Sequence, residues 1–263
     1  MQSKTPYIGY GTWALDDTQA ELKVYNAIKL GYRHIDTAKM YDNEQGVGRA
    51  VRRAIKDGIV KREDLTIVSK IVPGPYLDCE EALDNALAKL DIGYIDIMYI
   101  HERKTGDIAL YKAIENRVSK GQVKAIGISN YYSIPDIEKI YNAASIKPCS
   151  IQNEHHIYFQ NTAIRAYLQS INMILEAWYP FGGRGFVSES FNNPTIVKLA
   201  QKYAKTPSQI IVKWDLQNNV SLVAGSQDDA HIKENIDTND FSLTDKEVRE
   251  INYLDTNRRY EEW

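Results

Sequence analysis

Cysteine is scarce in this chain. The two present in 263 residues, Cys79 and Cys149, lie far apart and match no metal-ligand spacing. A disulfide scaffold and a thiolate-bound metal are therefore not expected, and idle thiols in a reducing compartment are. Long hydrophobic runs are missing too, since none approaches the ~20 residues that a membrane span needs. Residues 1–6 are too short and too polar for a signal peptide. No stripe of one charge exists: lysines and arginines are scattered, and the formal net charge is −3. Neither nucleic acid nor a membrane is thus an expected partner. No linker or low-complexity segment divides the chain. What remains is a cytoplasmic globular protein, of a length that suits one large α/β domain or two small ones.

What the chain does have is alternation. Apolar residues make up 43%, enough for a substantial core, and their periodicity switches between strand and helix throughout. Strands are expected at 7–12, 33–38, 65–71, 95–101, 123–130, 150–155, 173–179 and 220–226. Helices are expected at 18–30, 46–56, 78–90, 108–119, 135–144, 162–170, 194–203, 207–216, 230–235 and 245–254. Thr18 with Glu21, and Thr244 with Glu247, read as capping boxes. Thr206 caps a helix that carries Pro207 at its first position, where proline costs no hydrogen bond. IDIMYIH at 95–101 is almost continuously apolar, as a strand covered on both faces should be.

Eight strands alternating with helices predict a single-domain α/β fold over 1–263. The architecture is a (β/α)8 TIM-type barrel, with an extra C-terminal helix and a shortened N-terminal segment. The alternative is a doubly wound open sheet. That would want a G-x-G-x-x-G fingerprint after the first strand, and Gly11-Thr12-Trp13 has none behind it.

In a barrel, chemistry belongs at the C-terminal ends of the strands. RHIDTAKMYDNE at 33–44 delivers Asp36 and Tyr41 there. The third strand ends Ser69-Lys70 and the fourth ends at His101. These four fit one task. Reducing a carbonyl needs a hydride on carbon and a proton on oxygen, and a free phenol, with a pKa of about 10, is a poor donor at neutral pH. A lysine ammonium beside it favours ionisation, Asp36 keeps that lysine charged, and a histidine can aim the carbonyl. Each residue alone has a blander reading. Lys70 could be a snorkelling or Schiff-base lysine, His101 a core histidine, Asp36 a structural carboxylate, and Tyr41 one of 18 tyrosines. Their arrival together on three neighbouring strands is what carries weight.

Here the chain resembles the aldo-keto reductases. The likeness runs through GTW at 11–13, GYRHIDTA at 31–38, YDNE at 41–44, SK at 69–70 and ALAKLDIGYIDIMYIH at 86–101. It continues through GQVKAIGISN at 121–130, QNEHH at 152–156, AWYPFG at 177–182, TPSQIIVKW at 206–214 and EN at 234–235. The resemblance implies reversible reduction of an aldehyde or ketone with NADP(H), on a barrel without a Rossmann fold. It implies Tyr41 as acid with Asp36, Lys70 and His101 around it. It further implies Ser129, Asn130 and Gln152 at the nicotinamide carboxamide, Trp178 stacked on the ring, Ser226 at the phosphates, and Glu234 and Asn235 at the adenine end. No metal is implied, and a monomer is the family's common form. A nicotinamide-binding regulatory subunit with little turnover is the alternative function.

The sequence departs from the family in three places. After the eighth strand, Gly225 and His231 replace the usual lysine and arginine, with Asp228 and Asp229 between them. A 2′-phosphate wants basic partners, so NAD(H) becomes a usable cofactor. Glu102 stands where a pocket tryptophan is common. It could favour polar or cationic substrates or be a solvated loop charge, while Trp13 remains an apolar wall. Both ends are short, which predicts a broad or small-carbonyl specificity, with Tyr260 and Trp263 available to fold over the site.

Overall fold

The structure is a computed structural model, and it describes residues 7–261. The expected shortened N-terminal segment and Trp263 lie outside those residues. Eight parallel strands close into a barrel in chain order. They are β1 (Ile8–Gly11), β2 (His34–Asp36), β3 (Thr66–Ile71), β4 (Ile95–Ile100), β5 (Val123–Ser129), β6 (Ser150–Glu154), β7 (Ile174–Trp178) and β8 (Val220–Ala224). The helices are α1 (Asp17–Leu30), α2 (Glu44–Lys56), α3 (Cys79–Leu90), α4 (Asp107–Ser119), α5 (Ile134–Ala143) and α6 (Thr162–Ser170). They continue with α7 (Val187–Phe191), α8 (Pro194–Tyr203), α9 (Pro207–Gln217), α10 (Asp229–Ile236) and α11 (Asp245–Asn252). The last of these is the extra C-terminal helix.

The strands are apolar on both faces because each face is covered. In β4, Met98 and Ile100 belong to the large core between sheet and helices. Ile97 and Tyr99 join Val68 inside the barrel. Gly127 opposite leaves room for the Tyr99 ring, which any Cβ at that position would strike. The register then sets the polar residues level with one another: Gly11 beside Asp36, Lys70 beside Tyr99, Ser129 beside Gln152, and Gln152 beside Glu176.

Several local expectations need correction. The cap of α1 is Asp16 with Gln19, not Thr18 with Glu21. The Asp16 carboxylate accepts the Gln19 N–H at 2.8 Å while Gln19 Oε1 accepts the Asp16 N–H at 3.1 Å. The strands stop earlier than their apolar runs. Asn130 (φ 63) and Tyr179 (φ 55) adopt left-handed backbone conformations that turn the chain outward directly after β5 and β7. Three features read as loop are ordered: 3-10 turns at Lys39–Tyr41 and Arg62–Asp64, and the short helix α7. The boxes Thr206–Gln209 and Thr244–Glu247 cap α9 and α11.

Candidate active site

At the C-terminal mouth of the barrel is a cavity of ≈ 360 Å³. Asp36, Tyr41, His101, Ser129, Asn130, Gln152, Trp178, Trp13 and Ser226 all line it. Lys70 lies beneath, wholly buried. Its Nζ donates to Asp36 Oδ1 at 2.5 Å, to the Thr37 carbonyl at 3.0 Å and to Tyr41 Oη at 3.2 Å. Three acceptors use all three protons of an ammonium. Tyr41 is delivered by the 3-10 turn after β2. The His101 ring meets Tyr41 edge-on, with centroids 5.8 Å apart, and Trp13 meets it from another side at 4.9 Å.

The electrostatics follow from burial and from nearby lysines, Lys70 above all. Burial alone would discharge Lys70, but the Asp36 carboxylate and the Tyr41 phenol together hold its pKa above the usual lysine value. Burial raises the Tyr41 pKa, and the nearby ammonium only partly opposes that. The sequence expectation of a phenol made more acidic is therefore corrected in direction: burial holds Tyr41 as a protonated donor. His101 is pushed well below the normal histidine range by burial first, then by Lys70 and Lys104, so its imidazole is neutral.

The opposite wall is built for a flat ring carrying an amide. Trp178 donates its indole N–H to Asn130 Oδ1 at 3.0 Å, and Tyr132 donates to the same oxygen at 3.0 Å. Asn130 Nδ2 donates to the His101 carbonyl at 2.8 Å. Ser129 Oγ donates to the Gln152 carbonyl at 2.7 Å, which leaves its oxygen able to accept. A primary carboxamide, with two N–H protons and one carbonyl, fits such a mixed set. Across the mouth, the segment after β8 contributes Gly225, Ser226 and Gln227 to the lining. The residues present therefore suit a nicotinamide dinucleotide.

Three further candidates lie outside this cavity wall, two of them expected only at the adenine end. Glu102 does not line the cavity, and its carboxylate takes Lys104 Nζ at 2.5 Å. Glu234 and Asn235 are also off the cavity wall. Glu234 Oε1 accepts the Thr206 hydroxyl at 2.6 Å and also that of Ser208, so it braces the start of α9. Asn235 is buried. Tyr260 stacks on Phe186 at 3.9 Å and on His156 at 4.5 Å, outside the cavity lining. Its backbone N–H is fixed by Glu154 Oε1 at 2.6 Å. Two residues escaped the sequence reading. Tyr179 lines the cavity, and Glu176 is buried inside the barrel; a carboxylate in the middle of the apolar run MILEAW was the available signal.

A barrel with this mouth is an oxidoreductase scaffold of the (β/α)8 class. More particularly, the chain belongs to the aldo/keto reductase family, whose model matches residues 7–256. It is 32% identical to an NADPH-dependent D-xylose reductase of Meyerozyma guilliermondii, over 97% of this chain and 92% of that one. It is also 32% identical to the methylglyoxal reductase DkgA of Yersinia pestis, covering 97% and 90% respectively. Among solved structures, an aldo-keto reductase of Bombyx mori in complex with NADP matches with a TM-score of 0.88 and 29% identity. That match covers 97% of this chain and 90% of the other. The protein is a nicotinamide-dependent enzyme that reversibly reduces aldehydes or ketones to alcohols, not a regulatory subunit. Among the described residues, no helix is long and apolar enough to cross a membrane.

Proposed function

We infer that Tyr41 is the proton donor of this reductase and that Asp36, Lys70 and His101 set its environment. The single observation that supports this most is the Lys70 ammonium held between Asp36 Oδ1 and Tyr41 Oη. The bound dinucleotide supplies the hydride. The carbonyl oxygen of the substrate is received by the Tyr41 hydroxyl, with the neutral His101 as second partner. As negative charge develops on that oxygen, the Tyr41 proton moves to it. The tyrosinate left behind is stabilised by the ammonium 3.2 Å away. Lys70 thus acts after the transfer as well as before it: a cation beside the phenol favours the anion that reduction creates.

Ser129, Asn130 and Gln152 would hold the nicotinamide carboxamide, Trp178 would offer its indole face to the ring, and Ser226 would meet the phosphate end. NADP(H) is the cofactor that the relatives support, and NAD(H) is accepted as well because Gly225 and His231 present no fixed cation. The substrate is a small aldehyde or ketone of mixed polarity. Trp13, Tyr179, Phe181 and Val187 make the outer wall apolar while Tyr41 and His101 make its floor polar, and the relatives named for D-xylose and methylglyoxal act on small carbonyls. The setting is a cytoplasmic monomer. A spectrophotometric panel of short aldehydes, α-ketoaldehydes and ketones, run with NADPH and NADH in parallel, tests the reading. Absence of turnover on the whole panel would defeat it.

A further inference from the structure

Glu176 lies in the middle of β7, fully buried inside the barrel, and the steps above give it no task. Three groups converge on its carboxylate. Tyr7 donates its phenol to Oε2, His34 Nε2 stands 3.3 Å from Oε2, and Gln152 donates an Nε2 proton to Oε1. The same Gln152 nitrogen donates to Asp36 Oδ2 at 2.8 Å. A primary amide carries two protons on nitrogen and none on oxygen. Both Gln152 protons are therefore committed to carboxylates. A flipped amide would press its oxygen against two acceptor oxygens. Asp36 could not enforce this alone, because one carboxylate takes one proton and leaves the other free to turn toward the cavity.

We propose that Glu176 is a positioning residue: together with Asp36 it locks the Gln152 amide so that Oε1 faces the cavity as an acceptor, and the site thereby selects a pyridine ring bearing a primary carboxamide over one whose substituent has no N–H. The proposal rests on the reading of Gln152 as a nicotinamide contact. The lock does not depend on the charge of Glu176. Burial raises its pKa, opposed by Tyr7, Gln152 and the Lys70 charge. The groups facing it are Tyr7, His34, Asp36, Lys70, Tyr99 and Cys149. Were the acid neutral, a proton on Oε2 would face His34 and Oε1 would still accept from Gln152.

The test is a fluorescence titration with oxidised NADP and with its 3-acetylpyridine analogue, in which a methyl ketone replaces the carboxamide. Wild type, E176Q, E176M and Q152M are compared. The wild type should prefer the carboxamide form by about tenfold, the equivalent of one net hydrogen bond. E176Q should keep that ratio, because a glutamine oxygen can accept where Oε1 does. E176M should lose it and match Q152M, while binding the acetylpyridine form as the wild type does. An E176M protein that keeps the wild-type ratio overturns the proposal, as does a wild type that binds both forms equally. A wild type that binds neither form instead refutes the cofactor reading beneath it.

If E176M does not fold, nitrogen-15 glutamine labelling of the wild type decides, with the Gln152 amide identified by its loss in Q152M. Its NH2 should be protected from solvent exchange before any cofactor is added. Protection that appears only on cofactor binding would place the protons toward the cavity and overturn the proposal.

Discussion

Lys70 Nζ lies 3.2 Å from Tyr41 Oη, and the same nitrogen is pinned by Asp36 Oδ1 at 2.5 Å. This geometry keeps a cation beside the phenol whether or not the phenol is ionised. Replacing Tyr41 with Phe removes the proton but leaves the ring, its edge contacts with Trp13 and His101, and the Lys70–Asp36 pair. We expect kcat for aldehyde reduction to fall about a thousandfold, within the range general acid catalysis contributes. The dissociation constant for NADPH should change by no more than about twofold, since the phenol hydroxyl belongs to the carbonyl side. A large loss of cofactor affinity in single-turnover and binding measurements would contradict that division.

The protonation states of the site give the sign of its pH dependence. Tyr41 and Lys70 both have pKa values raised above their ordinary ones, the first by burial, the second by Asp36 and Tyr41 against burial. His101 is depressed. Reduction needs the phenol protonated, so its rate is full below the Tyr41 pKa and falls as pH rises through it, above 10. Alcohol oxidation needs the phenol to take up a proton, so it should rise over the same window. Around neutrality the reduction profile should show no histidine ionisation, because burial and the nearby lysines already keep the His101 imidazole neutral. An ionisation near neutrality in kcat/KM for the carbonyl would show that His101 is cationic after all.

The barrel and its polar mouth were legible because they depend on short-range signals. Periodicity marked all eight strands, and Asp36, Lys70 and His101 end or follow three of them, so the register alone brought them together. Other features depend on three-dimensional competition. Asp16 rather than Thr18 caps α1 because it is the residue whose extended backbone aims a carboxylate at the Gln19 N–H. The bracing of Glu234 by two hydroxyls at the start of α9 was equally hidden, because those partners are distant in sequence. Glu176 carried one local signal, a carboxylate in an apolar run, but its partners come from β2, β6 and the chain before β1. The acidity of Tyr41 was misjudged because sequence gives the neighbour that lowers it but not the burial that raises it.

The segment after β8 makes a prediction about cofactor choice. Ser226 Oγ accepts the Asp228 N–H at 3.0 Å, and Asp228 in turn caps α10. Asp229 holds Lys23 at 2.8 Å. That nearby lysine is thereby partly neutralised, and His231 is exposed. We expect NADPH to be preferred over NADH by less than about a thousandfold in kcat/KM, because no charge-assisted fork grips the 2′-phosphate. H231R should raise the NADPH:NADH ratio roughly five- to tenfold through an exposed ion pair. Restoring a lysine by G225K should not work as well. A Cβ at Gly225 would stand 2.6 Å from the Gly11 carbonyl oxygen, so β1 would have to shift. An H231R enzyme with an unchanged ratio would place the phosphate away from this helix.

A buried pair outside the cavity lining separates stability from catalysis. His155, just beyond β6, and Asp215, on α9, are both fully buried, with Nε2 and Oδ1 3.1 Å apart. His155 stacks on Trp214 with centroids 5.5 Å apart. Burial lowers the His155 pKa well below its normal range and raises that of Asp215. Burial thus works against the charged form of each, and the contact between them must offset the loss of water from both. Removing one partner strands the other: H155F or D215L alone should cost about 2 kcal/mol, or roughly 4–8 °C in Tm for a chain of this size. The double variant should recover most of that loss, since a well-packed apolar pair can replace a buried polar one without penalty. Neither residue lines the cavity, so kcat/KM of the folded double variant should match the wild type. Additive losses in calorimetry would show that the pair stabilises the fold by itself rather than merely tolerating its own burial.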